Sequence, residues 1–144
     1  MSSVGAVAVV LIGCARPQVR LHPTHIETPD YDRVAQLAHI EGSIVVKATI
    51  DADGNVTDAK PEGQPMLGRY AATNLRLWRF EKPKRAPFRE SITYDYRFEG
   101  PGQCEALPAK VTFDLPDRVE VVAEPVHTCD PTAAIGKRRG TDGN

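Results

Sequence analysis

Residues 42–56 read GSIVVKATIDADGNV, and this stretch decides the fold of the chain. Apolar and other side chains alternate along its first part, and the apolar face consists of Ile44, Val46, Ala48 and Ile50. Strict alternation is typical of a strand that is buried on one face. Gly54 then supplies the positive φ that a tight hairpin connection commonly requires. The stretch therefore predicts a strand over 43–50, a tight turn and a second, shorter strand over 56–59.

Two helices and one more strand are predicted around this hairpin. A modest helical pattern over 29–40 indicates a short first helix. Pro65 stands where a first helical turn tolerates proline, and the apolar residues that follow recur at helical spacing. They predict an amphipathic helix of about fourteen residues whose stripe is Leu67, Ala71, Leu75 and Trp78. Residues 92–98 alternate large apolar with polar side chains, which predicts an aromatic-rich strand.

The composition limits the class of protein. The chain has 144 residues, with 18 basic and 19 acidic side chains and a formal net charge of −1. This length allows one compact domain with short extensions. The apolar run at 4–13 is about half as long as the roughly 20 residues of a membrane-spanning helix. A polytopic membrane protein is therefore excluded, and the near-neutral charge argues against a nucleic-acid partner.

The N-terminus predicts an exported lipoprotein. Residues 4–13 have the length of the apolar part of a signal peptide. Residues 11–14, LIGC, resemble a bacterial lipobox, which implies cleavage before Cys14 and lipidation of its thiol. Ala15 rather than Asp follows Cys14, and the usual sorting rule for such lipoproteins then favours the outer membrane. The alternative is a buried N-terminal strand with an ordinary cysteine.

Two further cysteines flank a second predicted hairpin. Its strands are expected at 110–115 and 118–123. In an oxidising compartment the default for Cys104 and Cys129 is a disulfide that clamps the base of this hairpin. Such a bond would stabilise the fold by about 3–4 kcal/mol in the chain-entropy model. Free or metal-bound thiols are the alternative, and metal binding is disfavoured because only His127 lies nearby in sequence.

The predicted organisation has five parts. Residues 1–13 are a signal peptide, and 14–28 comprise the lipidated cysteine and a polar tether. Residues 29–99 form the main domain, and 100–130 form the disulfide-clamped hairpin extension. Residues 131–144 are a disordered tail, rich in glycine and basic side chains towards its end.

Several of these motifs, taken in order, resemble the C-terminal domain of the energy transducer TonB. The resemblance spans 29–99 and rests on Tyr31 with Ala35, residues 40–46, residues 51–56, residues 65–67 with Ala71 and Ala72, and residues 78–81. It implies an α+β fold in which a small antiparallel sheet packs against one long and one short helix. It also implies a periplasmic domain that captures a short extended segment of an outer-membrane transporter. The peptide would add as a strand to a sheet edge, by β-augmentation.

The resemblance places the peptide-binding edge on the strand at 91–98. Its residues are Ser91, Ile92, Thr93, Tyr94, Asp95, Tyr96, Arg97 and Phe98, with Asp95 and Arg97 as the side chains of one face. If the second hairpin paired with this same edge, no peptide could add there. The implied partners are an outer-membrane TonB-dependent transporter or another envelope protein, and the membrane through the lipid anchor. Homodimerisation by strand exchange stays open.

A second function is a structural envelope lipoprotein that contacts peptidoglycan, lipid head groups or an acidic partner. Residues 69–89 hold seven basic side chains and one acidic one, whereas residues 99–130 hold seven acidic and two basic ones. This asymmetry predicts that the acidic extension folds back over the basic helix and loop.

The sequence predicts no enzyme. Its histidines, at 22, 25, 39 and 127, are too scattered to assemble a nucleophile with its base. We therefore expect no catalytic residues, no metal site and no cofactor.

Overall fold

A computed structural model describes residues 18–131. The predicted signal peptide, the lipidation of Cys14 and residues 132–144 of the predicted tail lie outside the described residues. Within 18–131, no helix has the length and apolar character to cross a membrane.

The described chain folds into two helices and seven strands. In chain order they are β1 (Pro23–His25), α1 (Arg33–Leu37), β2 (Gly42–Ile50), β3 (Val56–Glu62), α2 (Pro65–Leu75), β4 (Arg79–Phe80), β5 (Phe88–Phe98), β6 (Lys110–Asp114) and β7 (Arg118–Ala123). The α+β class predicted from the sequence is confirmed, and so is the second hairpin, now β6 and β7.

Five of the strands form one sheet in the order β3-β2-β5-β7-β6. The three strands β3, β2 and β5 are antiparallel, as the TonB resemblance implies. Strand β7 joins β5 in parallel, and β6 returns antiparallel to β7. The two short strands β1 and β4 form a separate pair.

One face of the sheet carries the core. The apolar face predicted for β2 is fully buried and meets the buried residues of α2. Strands β5 and β7 add their own alternating residues to this layer: Ile92, Tyr94, Tyr96, Val119, Val121 and Ala123. The opposite face is polar or half-buried, because side chains alternate between the two faces of a strand.

Local chemistry explains where the helices begin. The Asp32 side chain accepts from the Ala35 N–H and caps α1, and the Gln64 side chain accepts from the Leu67 N–H and caps α2. Both helices are shorter than predicted. The chain leaves α2 in a turn before Trp78, which is nevertheless completely buried. Its apolar period therefore predicted burial correctly, while the helix itself ends earlier.

The turn between β2 and β3 packs against β4. Asp51 accepts backbone N–H bonds from Asp53 and Asn55, each at 2.9 Å. Gly54 has the expected positive φ, +85°, and a Cβ there would lie 2.0 Å from the Phe80 carbonyl oxygen. The turn thus requires glycine both for its backbone conformation and for the close approach of β4.

The prediction of a tether is wrong for residues 20–26. Leu21 is buried, Ile26 packs against the core, and β1 pairs with β4. Arg20 contacts the carboxylates of Glu90, at 3.5 Å, and Asp117, at 2.8 Å. The polar composition concealed two apolar anchors, Leu21 and Ile26, whose burial offsets the entropy of ordering the segment.

A buried side-chain amide joins helix, sheet and N-terminal segment. Asn74 Oδ1 accepts from Trp78 Nε1 at 3.0 Å and from the Tyr94 hydroxyl at 2.9 Å. Asn74 Nδ2 donates to the Glu27 carbonyl oxygen at 3.0 Å. Burial raises the pKa of Tyr94, so its hydroxyl keeps its proton and can donate.

The Cys104–Cys129 disulfide closes the extension, as predicted, with its Cα atoms 5.5 Å apart. Backbone hydrogen bonds reinforce it, since the Gln103 N–H donates to the Pro125 carbonyl and the His127 N–H donates to the Gln103 carbonyl. The base of the hairpin is thereby held by the disulfide and by two backbone hydrogen bonds.

We expect Asn74→Leu to lower the free energy of unfolding by about 1–3 kcal/mol, because the Tyr94 hydroxyl is left buried without its acceptor. Urea unfolding measures the loss. The matched control is Thr73→Leu at the exposed neighbouring position, which should change stability by less than about 0.5 kcal/mol. Adding Tyr94→Phe to Asn74→Leu should recover part of the loss; no recovery would contradict this account.

We expect the double change Cys104→Ser with Cys129→Ser to lower the free energy of unfolding by about 3–4 kcal/mol. Amide exchange should rise first in β7 and in its partner residues on β5. Reducing the wild-type chain should reproduce both effects. A loss under about 1 kcal/mol would show that strand pairing alone holds the hairpin.

Candidate functional site

The strand predicted to be the open edge lies inside the sheet. Residues 91–98 belong to β5, which pairs with β2 on one side and β7 on the other. The pairing with β7 runs from Thr93 opposite Arg118 to Phe98 opposite Ala123. It begins where the Thr93 N–H donates to the Asp117 carbonyl at 2.7 Å. From 93 onwards, both sides of the strand are occupied.

The expectation of a free edge at 91–98 is therefore wrong for this folded state. The physical reason is the second hairpin, which supplies β7 as an additional strand. The alternative weighed from the sequence, that the hairpin pairs with this edge, is what the structure contains.

The side chains expected to serve a peptide instead bind the chain's own hairpin. Asp95 accepts from Ser43 Oγ and lies 2.5 Å from Arg118 Nη2. Arg97 Nε donates to Glu120 at 2.7 Å, and this hydrogen bond raises the pKa of Arg97. Arg97 also contacts Glu99, at 3.0 Å. Of these contacts, Asp95–Arg118 and Arg97–Glu120 join β5 to β7 and match the register of the two strands. The exposed Arg97 pairs add little stability individually.

Four of the six remaining predicted edge residues contribute to the core, whereas Ser91 and Thr93 lie on the polar face of the sheet. Ile92, Tyr94 and Tyr96 are buried beneath the helices, and burial raises the pKa of both tyrosines. Phe98 stacks on Tyr31 with ring centroids 4.9 Å apart. None of these four side chains faces the polar surface of the sheet.

The acidic extension is held by strand pairing rather than by the basic region at 69–89. Its ion pairs on β5 and on the N-terminal segment use Arg97, Arg118 and Arg20, all of which lie outside that region. The extension does lie against part of that region, since the rings of Phe113 and Trp78 are 6.1 Å apart, but charge is not the cause. Backbone pairing and burial of Val119 and Val121 decide its position.

Strands β3 and β6 lie at the two edges of the sheet, and the outer side of each has no backbone partner among residues 18–131. Strand β3 carries Asp58, Lys60 and Glu62, and its Pro61 has no N–H to offer. Charges and proline are common protections of a natural sheet edge. Strand β6, with the sequence KVTFD, has no proline, and its charged residues Lys110 and Asp114 lie at its two ends, so residues 111–113 lack both protections.

Exposed leucines surround the β6 edge. Leu107 lies three residues before it and Leu115 directly after it, with 47% and 44% of their surfaces exposed. Leu77 is 54% exposed and shares with Leu107 a groove of about 490 Å³. The groove runs between the segment leading into β6 and the helices, and Tyr70 and Pro108 also line it. Sequence reasoning missed this site, because only the folded structure shows that these three leucines are exposed.

Comparison with known proteins supports the family suggested by the sequence. The family model of the Gram-negative bacterial TonB protein C-terminal matches residues 27–99, half of the chain. No curated protein and no solved structure matched. The matched region covers α1 to β5 and ends immediately before the extension that supplies β6 and β7. The chain therefore belongs to the TonB C-terminal domain family, as a TonB-like protein-interaction module of the bacterial envelope.

Proposed function

We propose that this protein is a non-enzymatic periplasmic module that binds an extended segment of an outer-membrane transporter, or of another envelope protein, by β-augmentation. The observation that carries the proposal is the free edge of β6 beside a groove lined by exposed leucines. Lipid attachment through Cys14 at the outer membrane is part of the same proposal.

Strand β6 offers both things that β-augmentation requires. Its outer N–H and C=O groups can continue the ladder, which supplies affinity. Every second side chain of an added strand would point to the helix side of the sheet, towards Leu77 and Leu107. Apolar side chains there would remove leucine surface from water at about 25 cal/mol per Å². A guest with alternating apolar residues therefore fits this edge.

Binding at residues 91–98 would first require β7 to leave β5. That step exposes Val119 and Val121, which are completely buried, and breaks the contacts of Asp95 and Arg97. The Cys104–Cys129 disulfide also keeps the hairpin close, so it competes with any guest at high local concentration. The same peptide can add to β6 without any of these losses, and we therefore place the binding edge there.

The test is an NMR titration of the isotope-labelled full chain, in detergent micelles, with a synthetic peptide carrying a transporter's TonB-box segment. We expect saturable shifts of amides in β6 and at Leu77 and Leu107, with β5 amides unchanged. Shifts confined to 93–98 would move the site to β5 with release of the hairpin. Absence of saturable shifts anywhere would overturn the proposed function.

A charged side chain in the groove should weaken this binding. We expect Leu107→Asp to raise the Kd by roughly tenfold or more, since an apolar contact is lost and a carboxylate must be desolvated. Leu37→Asp on α1 is the matched control, because Leu37 is 49% exposed and does not line the groove. Isothermal titration measures both variants. Equal effects of the two would contradict a site at β6.

A further inference from the structure

A basic surface lies on the loop between β4 and β5. It consists of Lys82, Lys84 and Arg85, and all three side chains are exposed. None of the ion pairs found within 18–131 involves any of them. Glu81 is the one acidic side chain that lines the same groove, so the surface keeps a net positive charge and is a candidate for an anionic partner.

The chain enters the fold directly beside this surface. Val19 and Leu21 line a groove of about 390 Å³ together with Lys82, Lys84 and Arg85. The entering segment is fixed there, because the His22 N–H donates to Glu81 Oε1 at 3.0 Å and the Glu81 N–H donates to the His22 carbonyl at 2.9 Å. The distance between the basic surface and the point where the chain enters the fold is therefore fixed.

Little chain separates this entry point from Cys14. The four residue steps from Cys14 to Gln18 span at most about 14 Å of extended chain. With the sequence-predicted tether of 14–28, the domain would reach at most about 50 Å from its anchor. Because the structure packs residues 20–26 onto the domain, an anchor at Cys14 would hold the basic surface close to the membrane.

We propose that Lys82, Lys84 and Arg85 dock on the head groups of anionic phospholipids and orient the domain on the bilayer. This inference rests on the membrane attachment proposed above. Each basic side chain within a Debye length, about 8 Å, of an anionic surface raises the binding constant roughly fivefold. Val19, with 73% of its surface exposed, adds an apolar side chain beside the charges, a combination typical of membrane-surface contacts.

This docking is compatible with peptide binding at β6. The groove beside Val19 and the groove beside Leu107 have no lining residue in common. A bilayer is favoured over a protein or peptidoglycan partner because the short connection to Cys14 keeps the bilayer permanently close to this surface.

The test uses the full chain reconstituted into vesicles of phosphatidylcholine alone or of phosphatidylcholine with phosphatidylglycerol. Hydrogen exchange of residues 81–89 is measured in both. We expect exchange to be slower by roughly tenfold on the anionic vesicles. The difference should disappear in about 0.5 M salt, which screens the attraction. Equal exchange on both kinds of vesicle would overturn the proposal.

A matched pair of variants separates the surface from the net charge. The triple variant Lys82→Gln, Lys84→Gln, Arg85→Gln should lose the protection. The control Arg33→Gln, Arg69→Gln, Lys110→Gln removes the same charge from exposed positions elsewhere and should keep the protection of residues 81–89. If both variants lose it equally, only net charge matters and the proposal is wrong. Protection by isolated peptidoglycan but not by anionic vesicles would also overturn it.

Failure of the proposed function would look different. Mass spectrometry of the chain purified from bacterial membranes shows whether Cys14 carries lipid, whatever the vesicle result. The peptide titration reports on β6 and not on residues 81–89. Docking on anionic vesicles without peptide binding would support the proposed membrane contact and contradict only the proposed β-augmentation.

Discussion

The parallel pairing of β7 with β5 is the contact on which the rest of the sheet depends. It converts the last strand of the TonB-like region from an edge into the centre of a five-stranded sheet. Burial of Val119 and Val121 drives the pairing, since complete burial of such a side chain contributes about 1.5–3 kcal/mol. The ion pairs of Asp95 and Arg97 then fix the register.

This added strand changes what a TonB-like domain can offer a partner. The antiparallel core of β3, β2 and β5 is the arrangement that the resemblance implies, and the extension covers β5, the strand predicted to be the peptide-binding edge. The free edge is carried outward by two strands, to β6, where exposed Leu77 and Leu107 line a groove. At the start of β5, the segment that enters the fold lies against a basic loop. One sheet thus presents a candidate protein contact and a candidate membrane contact on separate surfaces.

Local sequence patterns predicted much of the fold because their causes are local. Alternation predicted β2 and β5, and Gly54 marked the turn after β2 through its positive φ. Capping explains why α2 begins at Pro65, although its apolar period suggested a later end. Polar composition was misleading for residues 20–26, because Leu21 and Ile26 suffice to anchor that segment.

The sequence by itself determined the α+β class, the five strands of the main sheet, the disulfide pairing and the family, but not the short strands β1 and β4. Periodicity, turn chemistry and motif order are properties of short segments. Only the tertiary structure decided which strands have a free edge. Backbone N–H and C=O groups are the same at every residue, so no side-chain pattern states which neighbour will pair with them. That choice depends on the total burial gained when the distant hairpin docks, and it moves the candidate site from Ser91–Phe98 to β6.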